Sequence, residues 1–305
     1  MTELLQTLPE VKGEYKFQEP LKKYTWLNVG GPAEVMFFPA DAEDLQHFLQ
    51  HKPVNLSVFV IGSGSNLLVR DGGVKGAVIK LKSPAFSGWK LQDNILCAGS
   101  GLKNAALKNI LLQNELSGLE FICSIPGSIG GLVRSNAGCF GGELAQVLQK
   151  AKVMDAAGNI FEAAAEDFHF SYRHSDFPDD WIILELYLKT AKAPKEQIAA
   201  VIAENAAYRT EHQPQNVRTA GSTFKNPAGG RAWELIKNSG GCALKIGGAS
   251  FAEKHCNFMI NDGTATAADL ENLGETVRKL VKKQTGVNLD WEVKIIGKKN
   301  GCDGK

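Results

Sequence analysis

The sequence predicts an α+β protein of two or three packed lobes, and three observations lead to that class. The chain has 305 residues of which 44% are hydrophobic, enough for more than one core. Short β-branched runs that stop at glycine or turn residues are interspersed with segments of helical apolar spacing, and there is no fixed-period repeat or low-complexity tract. Glycine is concentrated in two stretches, residues 62–64 and 118–142, where backbone rather than side chains must do the work.

The first lobe is assigned to residues 1–81. Ala33-Glu-Val-Met-Phe-Phe38 reads as a strand, and residues 41–50 as a short helix with Asp41 as its N-cap. Leu56-Ser-Val-Phe-Val-Ile61 is a β-branched run ending at glycine, as a buried strand would, and Gly76-Ala-Val-Ile-Lys-Leu81 is a further strand. The second lobe is assigned to residues 82–193, with a strand at 95–98 and a helix at 102–116. Residues 152–155 and 160–162 flank Ala-Ala-Gly-Asn, a hairpin turn, and 181–188 is a strong strand. Thr190-Ala-Lys-Ala-Pro194 breaks the pattern and marks a boundary. The third lobe, 194–305, holds helices at 195–210, 230–239 and 266–286 and a strand at 289–296, with fraying expected from Lys298 to the end. Trp26, Trp233 and Trp291 are assigned to packing.

A formal net charge of +1 gives no electrostatic case for nucleic acid or an anionic membrane. Residues 1–19 mix acids, amides and lysines without an apolar stretch for a secretion signal, and no run approaches the roughly 18 apolar residues of a membrane helix. Cys97, Cys123, Cys139, Cys242, Cys256 and Cys302 contain no CxxC pair or other metal spacing. They are expected to be reduced thiols in a cytoplasmic protein without a metal. A monomer acting on small molecules is the expectation.

Gly62-Ser-Gly-Ser-Asn-Leu67 follows a strand and can bring backbone N–H groups close to an anion, with Ser63, Ser65 and Asn66 as added donors. It is not a dinucleotide fingerprint, because Leu67 stands where the third glycine of GxGxxG belongs, and it is not a P-loop, because no Gly-Lys-Ser/Thr follows. An ordinary turn is the alternative for this loop alone. The second stretch carries Gly127, Gly130, Gly131, Gly138, Gly141 and Gly142, a density that costs backbone entropy and points to contact with a large ligand. Two separate cradles suit a dinucleotide better than a mononucleotide. Farther on, Ser222 lies in Ala220-Gly-Ser-Thr-Phe-Lys-Asn-Pro227 beside Lys225 and Asn226, Arg173 in Ser171-Tyr-Arg-His-Ser175, and Glu292 in Asp290-Trp-Glu-Val-Lys-Ile-Ile-Gly297. A hydroxyl, a guanidinium and a carboxyl suit chemistry on an anionic substrate. Singly, each has a plainer reading, as a solvated arginine, a turn hydroxyl and a strand-end charge; their combination carries the proposal.

Thr25-Trp-Leu-Asn-Val-Gly-Gly-Pro-Ala33, Gly62-Ser-Gly-Ser-Asn-Leu-Leu68, Gly118-Leu-Glu-Phe with Ile125-Pro-Gly-Ser-Ile-Gly-Gly131, Asn136-Ala-Gly138, Tyr172-Arg-His-Ser175, Gly221 to Pro227, Gly247-Gly-Ala249, His255-Cys-Asn-Phe258 and Glu292 to Gly297 occur in this order. Together they resemble the UDP-N-acetylenolpyruvoylglucosamine reductase family, from about residue 20 to residue 297. The resemblance implies a two-lobed FAD-binding module of the vanillyl-alcohol-oxidase type, plus a C-terminal α+β substrate-binding domain whose 289–297 strand packs back toward the flavin. It implies FAD and NADPH as cofactors and reduction of enolpyruvyl-UDP-N-acetylglucosamine to UDP-N-acetylmuramate for peptidoglycan. The cofactor-binding residues would be Gly62, Ser63, Gly64, Ser65, Asn66, Leu67, Pro126, Gly127, Ser128, Gly130, Gly131, Asn136 and Gly138.

By position, Ser222 matches the family's proton donor, and Arg173 and Glu292 match the two residues that polarise the substrate carboxylate. Glu292 would need to be uncharged in the substrate complex, with its pKa raised there, to donate rather than repel. Tyr172, Lys225, Asn226, His255 and Asn257 are the candidate substrate contacts; Lys225 is also a candidate to assist Ser222, and a hydrogen-bonded structural role is the alternative for His255. Arg209 and Arg218 could clamp a diphosphate or be structural. With only 49 positions between Arg173 and Ser222, the chain resembles the family's shorter form, which lacks an inserted tyrosine-bearing flap. Leu132, Val133, Arg134, Ser135, Cys123 and Cys256 depart from the commonest family pattern. Two alternatives remain: another flavin oxidoreductase on the same module, weakened as a covalent flavoprotein by the absence of histidine between His51 and His169, and a non-catalytic flavin or nucleotide-sugar binder.

Overall fold

The computed structural model describes residues 7–301. The chain divides into two compact units, one of Val35–Gly62, Gly76–Ala207 and the residues up to Lys16, the other of Phe17–Glu34, Ser63–Lys75 and the residues from Tyr208 onward.

In the first unit a five-stranded antiparallel sheet runs in the order Ile160–Ala164, Leu148–Met154, Ile182–Lys189, Ile95–Gly99, Trp89–Gln92. The expected hairpin joins its first two strands: Gly158 takes φ 84, and the Asp155 carboxylate accepts the N–H groups of Ala157 at 2.9 Å and Asn159 at 2.8 Å. One sheet face carries Leu96, Ala98, Ala151, Val153, Leu186 and Leu188 into a core that also takes Leu107, Leu111, Ile122, Ile129 and Phe168. A four-stranded sheet has the order Glu14–Pro20, Pro32–Phe38, Val74–Ile79, Val58–Val60, and its residues 35–38, 58–60 and 76–79 belong to this unit. Val58–Val60 lies parallel to Ala77–Ile79. Helix Ala42–His51 starts where it was expected, with the Asp41 side chain accepting from Asp44 N–H at 2.8 Å. Buried Asp44 in turn accepts the N–H groups of Lys12, Gly13 and Ala40, so a carboxylate in the first helical turn ties down three otherwise unpaired donors.

The second unit is built on the antiparallel sheet Arg218–Ser222, His255–Asn261, Ala249–Ala252, Lys245–Ile246. Helices Ala232–Asn238 and Ala267–Thr285 cover it, burying Ile236, Leu270, Leu273, Val277 and Val281 with Phe224, Phe251 and Met259. The longer helix has a capping box of Thr266 with Asp269 and ends at Gly286 in the left-handed region, φ 76.

Several expectations change. The helix expected over 102–116 is a 3-10 turn, Asn104–Ala106, followed by the helix Leu107–Asn114, because Glu115 turns left-handed with φ 53 and the chain enters the short strand Leu116–Ser117. The strand expected over 289–296 contracts to Lys294–Ile296, paired in parallel with Leu67–Val69, because residues 290–293 bond instead to the Thr223–Lys225 segment. Fraying does not begin at Lys298: its N–H donates to Gly73 O and its C=O accepts Gly72 N–H, both at 2.9 Å. Residues 302–305 lie outside those described, Cys302 among them. Trp26 is not a packing residue, being 46% exposed, whereas Trp291 packs against Phe224 in a tilted pair with centroids 4.9 Å apart. Six reduced thiols were expected, yet Cys242 and Cys256 form a disulfide, while Cys97, Cys123 and Cys139 are free. The two partners are 14 residues apart, and only the fold brings their Cα atoms to 5.4 Å.

Candidate functional site

Each unit carries part of the predicted set. In the first, strand Val58–Val60 delivers Ile61, whose N–H bonds to Ile79 O at 2.9 Å, and then exposed Gly62. The next residue after the neighbouring strand is Lys80, and its ammonium donates to the Gly62 carbonyl. Burial pushes the Lys80 pKa down to about 8, and the nearby charges of Lys103 and Lys82 push the same way.

The second cradle, Pro126–Gly131, is latched onto residues 100–104. Lys103 and Ser128 form an antiparallel bridge, Asn104 N–H donates to Gly127 O at 3.2 Å, Ile129 N–H to Leu102 O and Gly130 N–H to Ser100 O, both at 2.9 Å. Gly127 takes φ 153, in the range L side chains avoid. The two cradles meet: a Cβ at Gly62 would lie 3.0 Å from Ser128 Oγ, and one at Gly130 would lie 2.8 Å from Ser100 Cβ. The sequence indicated that each loop approaches something closely; the structure shows that they approach one another. Ser100 Oγ and Asn104 Oδ1 are buried there without a hydrogen-bond partner.

Buried Asn136 commits its amide to the backbone, donating to Ser171 O at 3.2 Å and accepting Ala145 N–H at 2.9 Å, so its amide orders this loop. Gly138 must be glycine, since a Cβ would sit 2.5 Å from Gly142 O. Its carbonyl accepts Arg173 Nη2–H at 2.7 Å. Arg173 occupies the tip of a tight turn closed by Ser171 and His174, in a left-handed conformation with φ 53, and its guanidinium carbon is 5.4 Å from the Tyr172 ring centroid. Tyr172 is exposed.

In the second unit Ser222 ends strand Arg218–Ser222 at a register shift opposite His255–Asn261, where Thr219 faces Ile260 and Ser222 faces Phe258. Gly221 supplies the bulge with φ 79, and a Cβ there would meet nothing within 4 Å, so the ground in front of it is open. Behind Ser222 the packing is closely specified. Thr223 N–H donates to Asn257 O at 2.7 Å, and Thr223 Oγ1 accepts Met259 N–H at 3.0 Å. The buried Asn257 side chain binds the Phe224 peptide twice, accepting its N–H at 3.0 Å and donating to its C=O at 2.8 Å. Lys225 N–H reaches Asp290 O at 2.8 Å, and Glu292 N–H reaches Thr223 O at 2.9 Å. Glu292 is therefore held against the residue that follows Ser222. Asn226 Oδ1 accepts Ala232 N–H at 3.0 Å and so ties the loop to the start of helix Ala232–Asn238. His255 Nδ1 accepts Asn257 N–H at 3.2 Å, which leaves Nε2 to carry the proton in the neutral ring, and burial lowers its pKa below the ordinary value. Its ring packs edge-on against Phe258 at 4.7 Å.

The first glycine turn continues into this unit. Gly64, φ 67, lies where a Cβ would stand 1.9 Å from Tyr24 O, and its own carbonyl accepts Trp26 N–H at 3.0 Å. Asn66 donates from Nδ2 to Glu292 O at 3.0 Å, and the Asn66 carbonyl accepts Lys294 N–H at 3.1 Å.

Residues 213–296 match the family model described as "UDP-N-acetylenolpyruvoylglucosamine reductase, C-terminal domain", and residues 33–164 match the one described as "FAD binding domain". The UDP-N-acetylenolpyruvoylglucosamine reductase of Paramagnetospirillum magneticum is 46% identical over 290 residues, covering 95% of this chain and 94% of the relative. This chain belongs to the UDP-N-acetylenolpyruvoylglucosamine reductase family. The family member from a Bradyrhizobium species is 44% identical over 297 residues, 97% of each protein. The crystal structure of the reductase from Thermus caldophilus matches with a TM-score of 0.81 at 33% identity, covering 94% of this chain and all of that one. The fold of this family, an FAD-binding module with the reductase C-terminal domain, is the fold of this chain.

The first unit's residues fit a flavin dinucleotide. Side-chain-free backbone at Gly62 faces Ser128, half-buried Lys80 and exposed Lys103 supply cationic charge of the sign a diphosphate needs, and two buried oxygens, of Ser100 and Asn104, have unfilled acceptor or donor capacity. Sequence reasoning missed Lys80, Lys103, Ser100 and Asn104, none of which stands in a motif. A strand ending opposite Gly62 was the one available signal, and only for Lys80. Among the described residues no group of three or more His, Cys, Asp or Glu is arranged to hold a metal ion, and no helix is long and apolar enough to cross a membrane.

Proposed function

We propose that this chain catalyses the NADPH-dependent, FAD-mediated reduction of enolpyruvyl-UDP-N-acetylglucosamine to UDP-N-acetylmuramate in peptidoglycan precursor synthesis. The observation that carries this reading is identity of 44–46% with reductases of that name over 95–97% of the chain. Bound FAD supplies hydride, taken from NADPH, to the β-carbon of the enol ether.

The rest falls to this chain's side chains. Gly62, Pro126–Gly131, Lys80 and Lys103 hold the cofactor's diphosphate region. Electron flow into the enol ether leaves the substrate carboxylate with nearly two negative charges, very unfavourable in water. Arg173 opposes that charge with fixed, planar donors. Glu292 in its protonated form donates to the other carboxylate oxygen, and Ser222 Oγ gives its proton to the α-carbon. Lys225, next to the serine segment, favours the alkoxide left on Ser222. Tyr172 and His255 contact the nucleotide sugar. Asn226 and Asn257 act by shaping the loop that presents Ser222, which their backbone hydrogen bonds support. The lobes at 1–81 and 82–193 would serve the flavin and 194–305 the nucleotide sugar. The reading extends to a cytoplasmic monomer acting on small molecules, without a nucleic-acid partner, whose product supports cell shape and division.

Purified protein should be yellow, bleach anaerobically with NADPH, and regain colour with enolpyruvyl-UDP-N-acetylglucosamine but not with UDP-N-acetylglucosamine. Recolouring by neither nucleotide sugar would favour a binding protein, and recolouring by a small alcohol-derived carbonyl instead would favour another flavin oxidoreductase.

A further inference from the structure

We propose that Asn66 is a positioning residue for Glu292, acting through the peptide of the acid rather than on the cofactor. This rests on the reading of Glu292 as the acid that faces the substrate carboxylate.

The Glu292 peptide is gripped at both ends. Its N–H donates to Thr223 O at 2.9 Å, which sets the acid against the serine segment. Its C=O accepts Asn66 Nδ2–H at 3.0 Å across 226 positions of sequence. The regular parallel ladder between Leu67–Val69 and Lys294–Ile296 begins only at the pair Leu67 and Lys294, so Glu292 lies outside it. Asn66 extends the grip by two residues: its own C=O takes Lys294 N–H at 3.1 Å, while its side chain reaches back to Glu292 O. One residue thus supplies an acceptor and a donor to the same short stretch of chain.

The chemistry of the side chain is specific. An amide can donate to a carbonyl, whereas an isosteric carboxylate would meet that carbonyl with charge of the wrong sign. The glycines on the same turn explain why the residue is so placed. Gly64 allows the chain to pass against Tyr24 O two residues before Asn66. The turn that sequence reasoning gave wholly to the cofactor therefore has a second duty, fixing the backbone from which the acid projects. Small displacements of a group aimed at developing charge are costly, since its stabilisation depends on preorganised geometry.

The test is a double-mutant cycle on the holoenzyme with Asn66→Asp, Glu292→Gln and the pair, reading kcat/KM for enolpyruvyl-UDP-N-acetylglucosamine, flavin dissociation constant and Tm. Asn66→Ser, which keeps a shorter donor, serves if the aspartate variant does not fold. Positioning predicts that Asn66→Asp lowers kcat/KM about tenfold or more, chiefly through kcat. In the Glu292→Gln background the same change should cost less than twofold. Losses that multiply would overturn the proposal, because a general structural defect does not depend on which residue occupies position 292. A tenfold weakening of flavin binding with an unchanged rate of substrate reduction would overturn it too, returning Asn66 to the cofactor. Wild-type enzyme that turns over the enolpyruvyl substrate while the cycle is additive leaves the functional reading intact and removes only Asn66; wild-type enzyme without that turnover removes both.

Discussion

Arg173 donates from Nη2 to the carbonyl of Gly138 at 2.7 Å, so the guanidinium is anchored on the glycine-rich segment rather than swinging in solvent. The anchor fixes the plane of the group, and a planar fork is useful against a carboxylate only when its plane is set. Arg173→Lys keeps the charge but loses both the anchor geometry and the paired donors. We expect kcat/KM for the enolpyruvyl substrate to fall about 10²–10³-fold, the loss of about 2.7–4 kcal/mol that follows removal of one donor to a developing oxyanion. Steady-state kinetics with a Tm control checks this; a loss under fivefold would assign the arginine to the fold.

Ser222→Ala should slow the substrate half-reaction far more than the NADPH half-reaction, by about 10²–10⁴-fold if the hydroxyl is the proton donor. The fold should survive, because the bonds that hold this segment belong to Thr223, Phe224 and Asn257 rather than to the Ser222 side chain. Stopped-flow absorbance separates the two halves. Equal slowing of both would make Ser222 a packing or binding residue.

Much of this was legible in the sequence because local chemistry announced it. Asp41 beside a periodic run gave its helix, Ala-Ala-Gly-Asn gave the hairpin, and Thr266 and Gly286 bounded the long helix, which they cap. The residues around Ser222, Arg173 and Glu292 stood out as motifs. What stayed hidden depends on long-range placement. Asn66 and Glu292 are 226 positions apart, and nothing local to either shows that one amide will meet the other's carbonyl. Lys80 looks like an outward residue closing a strand until the fold turns it onto Gly62. The Cys242–Cys256 bond lacks any spacing signature, and the expectation of a cytoplasmic setting argued against it. Irregular chain such as 290–293 is legible only once its partners are known, which is why a strand was expected where side-by-side loops occur.

The disulfide should stabilise the second unit. Cys256 precedes Asn257, which holds the Phe224 peptide at both its N–H and its C=O. A cross-link closing a loop of this size is worth about 3 kcal/mol on the chain-entropy account. A dithiol reductant, itself oxidised as the bond becomes two thiols, should lower Tm in the wild type and leave Cys242→Ser unaffected. Hydrogen exchange should quicken first at residues 222–226 and 255–258. An unchanged wild-type Tm with both thiols titratable would show that the bond contributes nothing.

Arg70 and Glu271 pair through two hydrogen bonds, Nε–H to Oε2 at 2.8 Å and Nη2–H to Oε1 at 3.0 Å, with the Glu271 side chain only 10% exposed. The hydrogen bonds from Arg70 hold the Glu271 pKa below its ordinary value of 4.5, and the charge of Lys299 adds to the effect. A depressed folded-state pKa means that the unfolded chain takes up the proton first as pH falls. The contribution is therefore complete above about pH 5 and is lost as acid passes through 4.5 toward the folded-state pKa. Glu271→Gln should cost about 1.5–3 kcal/mol at neutral pH, the value of hydrogen bonds to charged groups, and should flatten the acid limb of the stability curve. Urea melts at pH 7 and pH 4 measure both; a variant as acid-sensitive as the wild type would place the sensitivity elsewhere.

Lys80 acts in the same pH sense but in an alkaline window, and as a cost of charging rather than a gain. Its folded-state pKa is pushed down to about 8 from 10.5 by burial, with Lys103 and Lys82 as the charges acting on it and the Gly62 carbonyl as its acceptor. Between those two values the unfolded chain holds a proton that the folded chain has released, so the stability of the flavin-free protein should rise with pH across the window. An anionic diphosphate in the cradle reverses the balance, because it favours the ammonium over the amine. Flavin affinity should then be flat below about pH 8 and weaken above it, as binding must first restore the proton. Lys80→Met removes the titrating group: its flavin affinity should be lower than wild type at pH 7 and nearly constant from pH 7 to 9. Fluorescence titration of FAD into flavin-free protein across that range provides the measurement, and sodium chloride should weaken binding to the wild type more than to the variant. Parallel pH profiles for the two proteins would mean that the lysine stands beside the cradle without serving it.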